Sequence, residues 1–449
     1  MRQRRALDHV TECEARPRIA FEHVAVPNSL ALAAPQRLFG QPGRPSDFAE
    51  FNMPPVRLYL DSSDYSVLSD PKRHTPELLD LLSHLRAWAR DGKIQCLFSG
   101  THLSEMAPLD GAHPEAAERR AALLSDLCGR SALVSQDVLF GDELRAALGE
   151  TEIGAIPRSV CGDWFPGGGL DIFPIGQMNV AGEVQSAIDQ MPLNRENRRK
   201  AQRVAMRKGK PRAKTHEMLK QNARTGSLEE ILAIYPMRPQ DARTIGRYLV
   251  GDATAEQANE AFLNSLRDPR WMMQWFRQHH AQLTTFTDWV RGPAKAIMGG
   301  LKVMADQAAT IRHNDKILGR KTADEWFSSR QWGTWQDEIL LSVSRRLAES
   351  LVGRSSGPLT AAAIDQSCPG LSTGIRSLHS AWWSTTAVTP RTPKLSDFPD
   401  ALHAMYAPYV DVFRADSFMA PYINRFSARF GTKVVPKLVE LKATVQGLL

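Results

Sequence analysis

Four acidic residues lie next to the ends of predicted strands, where they could together bind a metal ion. Asp61 follows the apolar run VRLYL directly, and Asp416 closely follows the run YVDVF. Glu105 lies early in the helix after the run KIQCLF, and Asp400 lies early in the helix before YVDVF. The carboxyl ends of parallel strands share one edge of a sheet, and clustered carboxylates repel one another unless a cation joins them. Such oxygen ligands favour Mg²⁺ or Mn²⁺, and a metal of this kind suits phosphodiester hydrolysis.

The segments that carry these acids alternate between strand-like and helix-like patterns. Val56–Leu60, Lys93–Phe98 and Tyr409–Phe413 are short apolar runs that end in polar residues, as buried strands do. Amphipathic helical patterns separate them, so we predict an α/β fold with a small parallel sheet flanked by helices. A large, mostly α-helical insert interrupts this domain. The predicted organisation is an N-terminal extension, partly disordered (1–52), a first α/β piece (53–149), the insert (150–395) and a second α/β piece (396–449).

The positive charge of the chain is concentrated in one segment of the insert. The 449-residue chain has a net charge of +7, but residues 195–224 hold twelve Lys or Arg against two Glu, a net of +10. The rest of the chain therefore carries −3. Clustered basic side chains neutralise phosphates, so we expect Arg198, Arg199 and Lys200 to contact nucleic acid. The alternative is a solvated helix face or a disordered arm, as charged runs often are.

Other classes of protein are disfavoured by the pattern of the remaining residues. The five cysteines are scattered and none has zinc-site spacing, which fits a reducing cytoplasm rather than a disulfide scaffold. No signal core is visible, and every stretch of membrane-spanning length carries charge, so we expect a cytoplasmic protein without a membrane partner. The glycines at 167–169 lack dinucleotide-binding spacing, and the chain contains no phosphate-binding P-loop motif.

Three segments resemble the acidic motifs of PIN-domain nucleases: YLDSSDYSVL, FSGTHLSEM and SDFPDALHAMYAPYVDVFRAD. The resemblance covers the two α/β pieces, about a third of the chain. It implies a small parallel sheet and a Mg²⁺ or Mn²⁺ site of three to four acids that acts mostly on RNA. Residue by residue, it implies Asp61, Glu105, Asp400 and Asp416 as the catalytic metal ligands. Ser63 resembles the small polar residue that follows the first acid and would orient a ligand or a substrate phosphate.

The chain also departs from the pattern of that family. Glu105 and Asp400 are 295 residues apart, far more than in compact members, and the resemblance does not explain the insert. Arg414 stands where Ser or Thr is common. Three further aspartates compete for the metal: Asp64, Asp397 and Asp411.

Each acid also has an ordinary structural explanation. Asp61 and Asp416 could cap helices, Asp400 could form a capping box with Asp397, and Glu105 could be a surface residue. His403 follows Asp400 by one helical turn, and we expect it to hydrogen-bond a neighbour, the alternative being a substrate contact.

The sequence therefore leads to one main hypothesis and two alternatives. The main one is a metal-dependent nuclease in which bound Mg²⁺ or Mn²⁺ activates water, with RNA favoured over DNA by the resemblance alone. The first alternative is a PIN-like scaffold that has lost catalysis and binds nucleic acid or protein. The second is a toxin-type ribonuclease that a partner protein regulates. Self-association into a homo-oligomer is left open.

Overall fold

The computed structural model covers the two α/β pieces almost completely and the insert in part. Met53–Leu449 forms one compact unit, and the predicted extension at 1–52 lies outside the described residues. The described residues are 54–106, 113–150, 158–159, 162–165, 185, 188–189, 191–207, 210–212, 214–215, 217–218, 237–249, 252–278, 306, 309–321, 330–353, 359–384 and 397–449.

A four-stranded parallel sheet is the centre of the fold, and its strands lie side by side in the order β2 (Ile94–Leu97), β1 (Val56–Tyr59), β7 (Val412–Arg414) and β8 (Lys433–Val435). Two strands from opposite ends of the sequence, β1 and β7, lie side by side in it, with Tyr59 opposite Phe413. The predicted α/β class with a small parallel sheet is thus confirmed. The strands are β1 (Val56–Tyr59), β2 (Ile94–Leu97), β3 (Ala132–Leu133), β4 (Arg158–Ser159), β5 (Met206–Arg207), β6 (Lys210–Pro211), β7 (Val412–Arg414) and β8 (Lys433–Val435).

Strand β7 begins later than the sequence pattern predicts. Ala407–Tyr409 forms a 3-10 turn that contains Pro408, so the chain becomes a strand only at Val412. The backbone N–H groups of Tyr409 and Val410 donate to the Tyr406 and Ala407 carbonyls at 3.0 and 3.3 Å, so they bond within the turn and not to the sheet.

Both faces of the sheet are buried, because side chains alternate along each strand. Leu58 and Val412 contribute to one hydrophobic core. Tyr59, Leu97 and Phe413 contribute to the other. Burial on both faces is typical of parallel sheets that helices cover on each side.

Helices from all parts of the described chain surround this sheet. Besides the helices named below, residues 309–318 are helical, a π-helical turn spans Ala348–Val352, and 3-10 turns span Pro71–Arg73, Ala428–Phe430 and Leu438–Glu440. The helices are α1 (Ser62–Leu68), α2 (Pro76–Arg90), α3 (Gly100–Met106), α4 (Pro114–Cys128), α5 (Gln136–Ala147), α6 (Arg195–Ala205), α7 (Pro239–Leu249), α8 (Ala255–Leu266), α9 (Pro269–Gln278), α10 (Arg330–Leu347), α11 (Ala361–Ser367), α12 (Pro369–Trp383), α13 (Asp397–Ala404), α14 (Ala420–Ser427) and α15 (Leu441–Gln446).

The described helices of the insert pack on both faces of the sheet. Phe262 of α8 and Phe276 of α9 belong to the same core as Leu58. Leu340 of α10 and Leu371 of α12 belong to the same core as Tyr59. The insert therefore shares its hydrophobic cores with the α/β pieces, at least over its described part.

Helix α6 differs from these helices because none of its residues is buried. It carries Arg198, Arg199 and Lys200, and the short antiparallel hairpin of β5 and β6 follows it. Residues 195–212 of the basic segment thus form a solvated helix and a hairpin in their described part, and residues 214–215 and 217–218 are again helical.

Candidate acidic site at the sheet edge

Asp61 lies just beyond the carboxyl end of β1 and is the N-cap of α1. Its Oδ2 atom accepts hydrogen bonds from the Ser63 backbone N–H, at 3.1 Å, and from the Ser63 hydroxyl. The same side chain also accepts the backbone N–H of Asp64, which completes a capping box. The helix-cap explanation is therefore right for Asp61. Ser63 fixes the orientation of that carboxylate.

Asp64 is held beneath Asp61 as a structural carboxylate. Its side chain is only 1% exposed, accepts the Asp61 backbone N–H at 3.0 Å and closes a capping box. Arg414 at the end of β7 approaches it at 3.2 Å. Burial raises the pKa of Asp64 to about 7 although the Arg414 guanidinium opposes that rise. Both oxygens of Asp64 are occupied by partners within the protein.

Glu105 on α3 is bound by His403 on α13. Its Oε2 lies 2.7 Å from the His403 Nε2, and Ser62 Oγ lies 3.3 Å from the same nitrogen. Burial opposes ionisation of Glu105, but hydrogen bonds from His403 and Ser62 hold its pKa below the usual value. Asp61 is close enough for its charge to raise that pKa. Glu105 and Ser62, the residue after Asp61, therefore meet at His403, and Glu105 is ionised at neutral pH.

The opposite ring nitrogen of His403 is hydrogen-bonded within the core. Its Nδ1 lies 2.6 Å from the hydroxyl of Tyr59, and that hydroxyl lies 2.7 Å from Ser99 Oγ. Burial raises the pKa of Tyr59 well above its usual value, so Tyr59 keeps its proton. The expectation that His403 bonds a neighbour is confirmed. The sequence analysis did not predict Tyr59 and Ser99 as site residues, although hydroxyl groups within or directly after a buried strand can be recognised in a sequence.

His102 completes this cluster as a neutral core residue. Its Nδ1 accepts the Ser99 backbone N–H at 3.1 Å, and its Nε2 donates to the Leu60 carbonyl at 2.8 Å. Burial and the neighbouring His403 lower the pKa of His102 to about 3. Both of its nitrogens are used, so His102 stabilises the loop between β2 and α3.

The Ser62, His403 and Glu105 side chains do not form a nucleophilic triad. In a Ser–His–acid triad the serine and the acid bind opposite nitrogens of the imidazole. Here Ser62 and Glu105 approach the same nitrogen, Nε2, and Tyr59 occupies the other. The arrangement therefore does not suit acyl transfer by Ser62.

The other candidate acids lie at or near the same sheet edge with partners of their own. Asp416 follows β7, is half-buried, and accepts the Met419 backbone N–H at 2.6 Å. Asp400 is half-buried on α13, one turn before His403, and also interacts with other residues. The side chain of Asp397 lies outside the described residues.

Asp411 is bound by an arginine instead. Its carboxylate accepts bonds from Arg57 at 2.5 and 2.9 Å. Burial opposes ionisation of Asp411, but these bonds hold its pKa below the usual value. Both carboxylate oxygens have a partner in Arg57, which disfavours Asp411 as a metal ligand.

These acidic side chains suit a metal site with one or two protein ligands better than one in which the protein supplies every ligand. Among the residues that the structure describes, no group of three or more His, Cys, Asp or Glu side chains is arranged to hold a metal ion. Asp61 and Glu105 both lie beside the contact between Ser62 and His403. Mg²⁺ is often bound by one or two carboxylates together with waters and substrate phosphates. These two residues fit that kind of site, and Asp400 and Asp416 remain predicted ligands.

The basic side chains of α6 have local contacts. Arg198 donates to the Leu193 carbonyl at 3.3 Å, and Lys200 pairs with Glu196 at 2.8 Å. Arg199 is exposed. Pairs of this exposed kind contribute little to stability, so these cations are accessible to a polyanion.

Comparison with known proteins adds no family to this description. No protein-family model matches the chain, and neither a curated protein nor a solved structure gives a match. In the part of the chain that the structure describes, no helix is both long and apolar enough to cross a membrane.

Proposed function

We propose that the chain is a metal-dependent nuclease of the PIN-like type that hydrolyses phosphodiester bonds. The carrying observation is that His403 Nε2 lies 2.7 Å from Glu105 on α3 and 3.3 Å from Ser62, the residue after Asp61, so that the segment after β1 meets the helix that follows β2. This supports the main hypothesis, since the segments that carry the first two acids of the sequence motifs meet where ligands bind in such sheets. RNA is favoured over DNA only by the resemblance of the motifs.

The protein's own groups would have distinct roles in this activity. Asp61, oriented by Ser63, and Glu105, held by His403, would bind Mg²⁺ or Mn²⁺, which lowers the pKa of water and neutralises phosphate charge when bound. Asp416 and Asp400 would complete the ligands on the side of β7 and α13. Arg198, Arg199 and Lys200 would bind backbone phosphates, which gives affinity but little sequence preference.

A second candidate, a PIN-like nucleic-acid-binding scaffold without catalysis, is favoured by two specific contacts. Arg414 binds Asp64, and His403 binds Glu105, so two of the acids near the edge already have cationic or hydrogen-bonding partners. Partners of this kind reduce the repulsion that a metal would otherwise relieve. In this case the basic segment would carry the function.

Cleavage of labelled single-stranded RNA and DNA with Mn²⁺, Mg²⁺ or EDTA tests the proposal. The variant is Asp61→Asn, and Asp70→Asn is the matched control because Asp70 also caps a helical turn but lies beyond the C-terminal end of α1, whereas Asp61 lies at its N-terminus. Loss of an outer-shell partner typically costs about 10–100-fold in activity, so loss of a direct ligand should cost at least that much. The control should cleave as the wild type does.

Two other results would change the conclusion. Equal, EDTA-resistant cleavage by the wild type and Asp61→Asn would refute the nuclease assignment. RNA binding without cleavage in both would support the scaffold instead. In that case, replacing Arg198, Arg199 and Lys200 by Gln should reduce the salt dependence of binding by about 2 in log–log slope.

A further inference from the structure

We propose that His403 is a positioning residue that holds Glu105 in the geometry needed to bind a metal, with Tyr59 and Ser99 behind it. This inference rests on the proposed function and extends it to groups that contact no substrate. It assigns a role to the buried polar chain that connects the core to the acidic edge.

The chain consists of three consecutive hydrogen bonds. Ser99 Oγ lies 2.7 Å from the Tyr59 hydroxyl, which lies 2.6 Å from His403 Nδ1. His403 Nε2 then lies 2.7 Å from Glu105 Oε2. His403 is 3% exposed, and Tyr59 and Ser99 are fully buried. Water therefore has little access to these bonds.

The proton positions along this chain follow from the ionised carboxylate at its end. A carboxylate can only accept, so His403 donates through Nε2–H. In the tautomer that carries its proton on Nε2, His403 accepts the Tyr59 O–H at Nδ1, and Tyr59 in turn accepts the Ser99 O–H. Every donor points towards Glu105. Such a directed chain fixes both the tautomer and the rotation of the imidazole.

Packing also restricts the ring of His403. Tyr59 stacks on Phe413 with centroids 5.2 Å apart, and the rings of His102 and His403 meet edge to face at 4.7 Å. The imidazole thus cannot follow Glu105 if that side chain rotates. The contact therefore selects one rotamer of Glu105.

The same bond joins the two α/β pieces across the metal edge. Glu105 on α3 and His403 on α13 are 298 residues apart in sequence. Asp400 lies one turn before His403 on α13, so the bond also fixes the helix that carries the third predicted ligand. Outer-shell partners of metal ligands have this role in other metal sites.

Mn²⁺ affinity measured by calorimetry and electron paramagnetic resonance tests the assignment without relying on activity. His403→Ala should weaken Mn²⁺ binding by about 10–100-fold. His403→Gln retains an N–H that can reach Glu105 and should recover most of that loss. His84→Gln is the control, because His84 bonds a backbone carbonyl on the exposed face of α2.

Tyr59→Phe separates positioning from simple stability. It keeps the ring that packs on Phe413 but removes the hydroxyl that orients His403. It should weaken Mn²⁺ binding by about 3–10-fold. His403→Gln should also bind Mn²⁺ more tightly than His403→Ala, even where the two variants unfold at the same urea concentration. This variant also keeps the inference testable if His403→Ala does not fold.

The outcomes distinguish this inference from the proposed function. Unchanged or tighter Mn²⁺ binding in His403→Ala and Tyr59→Phe, with a wild type that binds Mn²⁺ and cleaves, would overturn only the role of His403. Tighter binding would show that His403 competes with the metal for Glu105. A wild type that binds no Mn²⁺ would overturn the nuclease proposal and this inference together.

Discussion

Replacing Arg414 with Met should destabilise the protein by an amount that grows with pH. The change leaves the Asp64 carboxylate, which is 1% exposed, without the guanidinium that now lies 3.2 Å away. Removing one partner of a buried ion pair typically costs about 3–5 kcal/mol, because the other charge remains buried and unpaired. Met is close to Arg in length and fills much of the same apolar volume, so the lost charge should dominate the effect.

The pH dependence follows from the shifted pKa of Asp64. Its folded-state value of about 7 lies above the ordinary value of 3.8, so the folded protein prefers the protonated form. That preference is worth about 4 kcal/mol and is lost as pH rises from about 4 through 7. Without Arg414 the pKa rises further. At pH 5.5 Asp64 is largely protonated in both proteins, so the variant should lose only about 1 kcal/mol, whereas at pH 8.5 it should lose the full amount.

Urea unfolding at pH 5.5 and pH 8.5 measures this difference. The double variant Arg414→Met with Asp64→Asn removes both charges, so at pH 8.5 it should recover about 2 kcal/mol or more of the loss. A cost below about 1 kcal/mol at pH 8.5, or a cost that is the same at both values of pH, would refute the reasoning. All other titrating groups are shared with the wild type and cancel in the comparison.

Two further predictions concern the packing of α12. Gly374→Ala should cost about 1–3 kcal/mol because a Cβ there would collide with Met405, which directly follows α13. Gly333→Ala on α10 meets open space and should stabilise by up to about 1 kcal/mol. Thermal unfolding of both variants checks this pair. Glu143 accepts the first free backbone N–H groups of α12, at Gly370 and Leu371. Glu143→Ala should therefore lower the free energy of unfolding in urea by about 1–3 kcal/mol. Tyr409→Phe removes only one donor to Glu143 and should cost less.

The sequence predicted the parts of the fold that depend on local pattern. Strands β1 and β2 lie within one residue of their predicted bounds, because apolar runs that end in polar residues are a short-range signal. Alternation of strands and helices was enough to predict a parallel sheet. The position of Asp61 at the sheet edge followed directly, because it is adjacent to a strand.

What the sequence left open depends on contacts between distant segments. The bond between His403 and Glu105 requires α13 to pack against α3, and no local pattern encodes that distance. The sequence also gave no means of choosing among the competing aspartates. The structure disfavours Asp411, since Arg57 holds both of its oxygens, and that pairing again joins residues from the two ends of the chain.

Asp64 and Arg414 both depart from the expected motif pattern, and their contact with each other accounts for both departures. Asp64 is an additional acid, and Arg414 is a cation where Ser or Thr is common; in the structure they form one buried ion pair. Once Asp64 is ionised, above about pH 7, the pair adds no net charge to the edge. It also supports Asp61, because the second oxygen of Asp64 accepts the Asp61 backbone N–H. The double variant of Arg414 and Asp64 should therefore be closer to the wild type in stability and in metal binding than Arg414→Met alone.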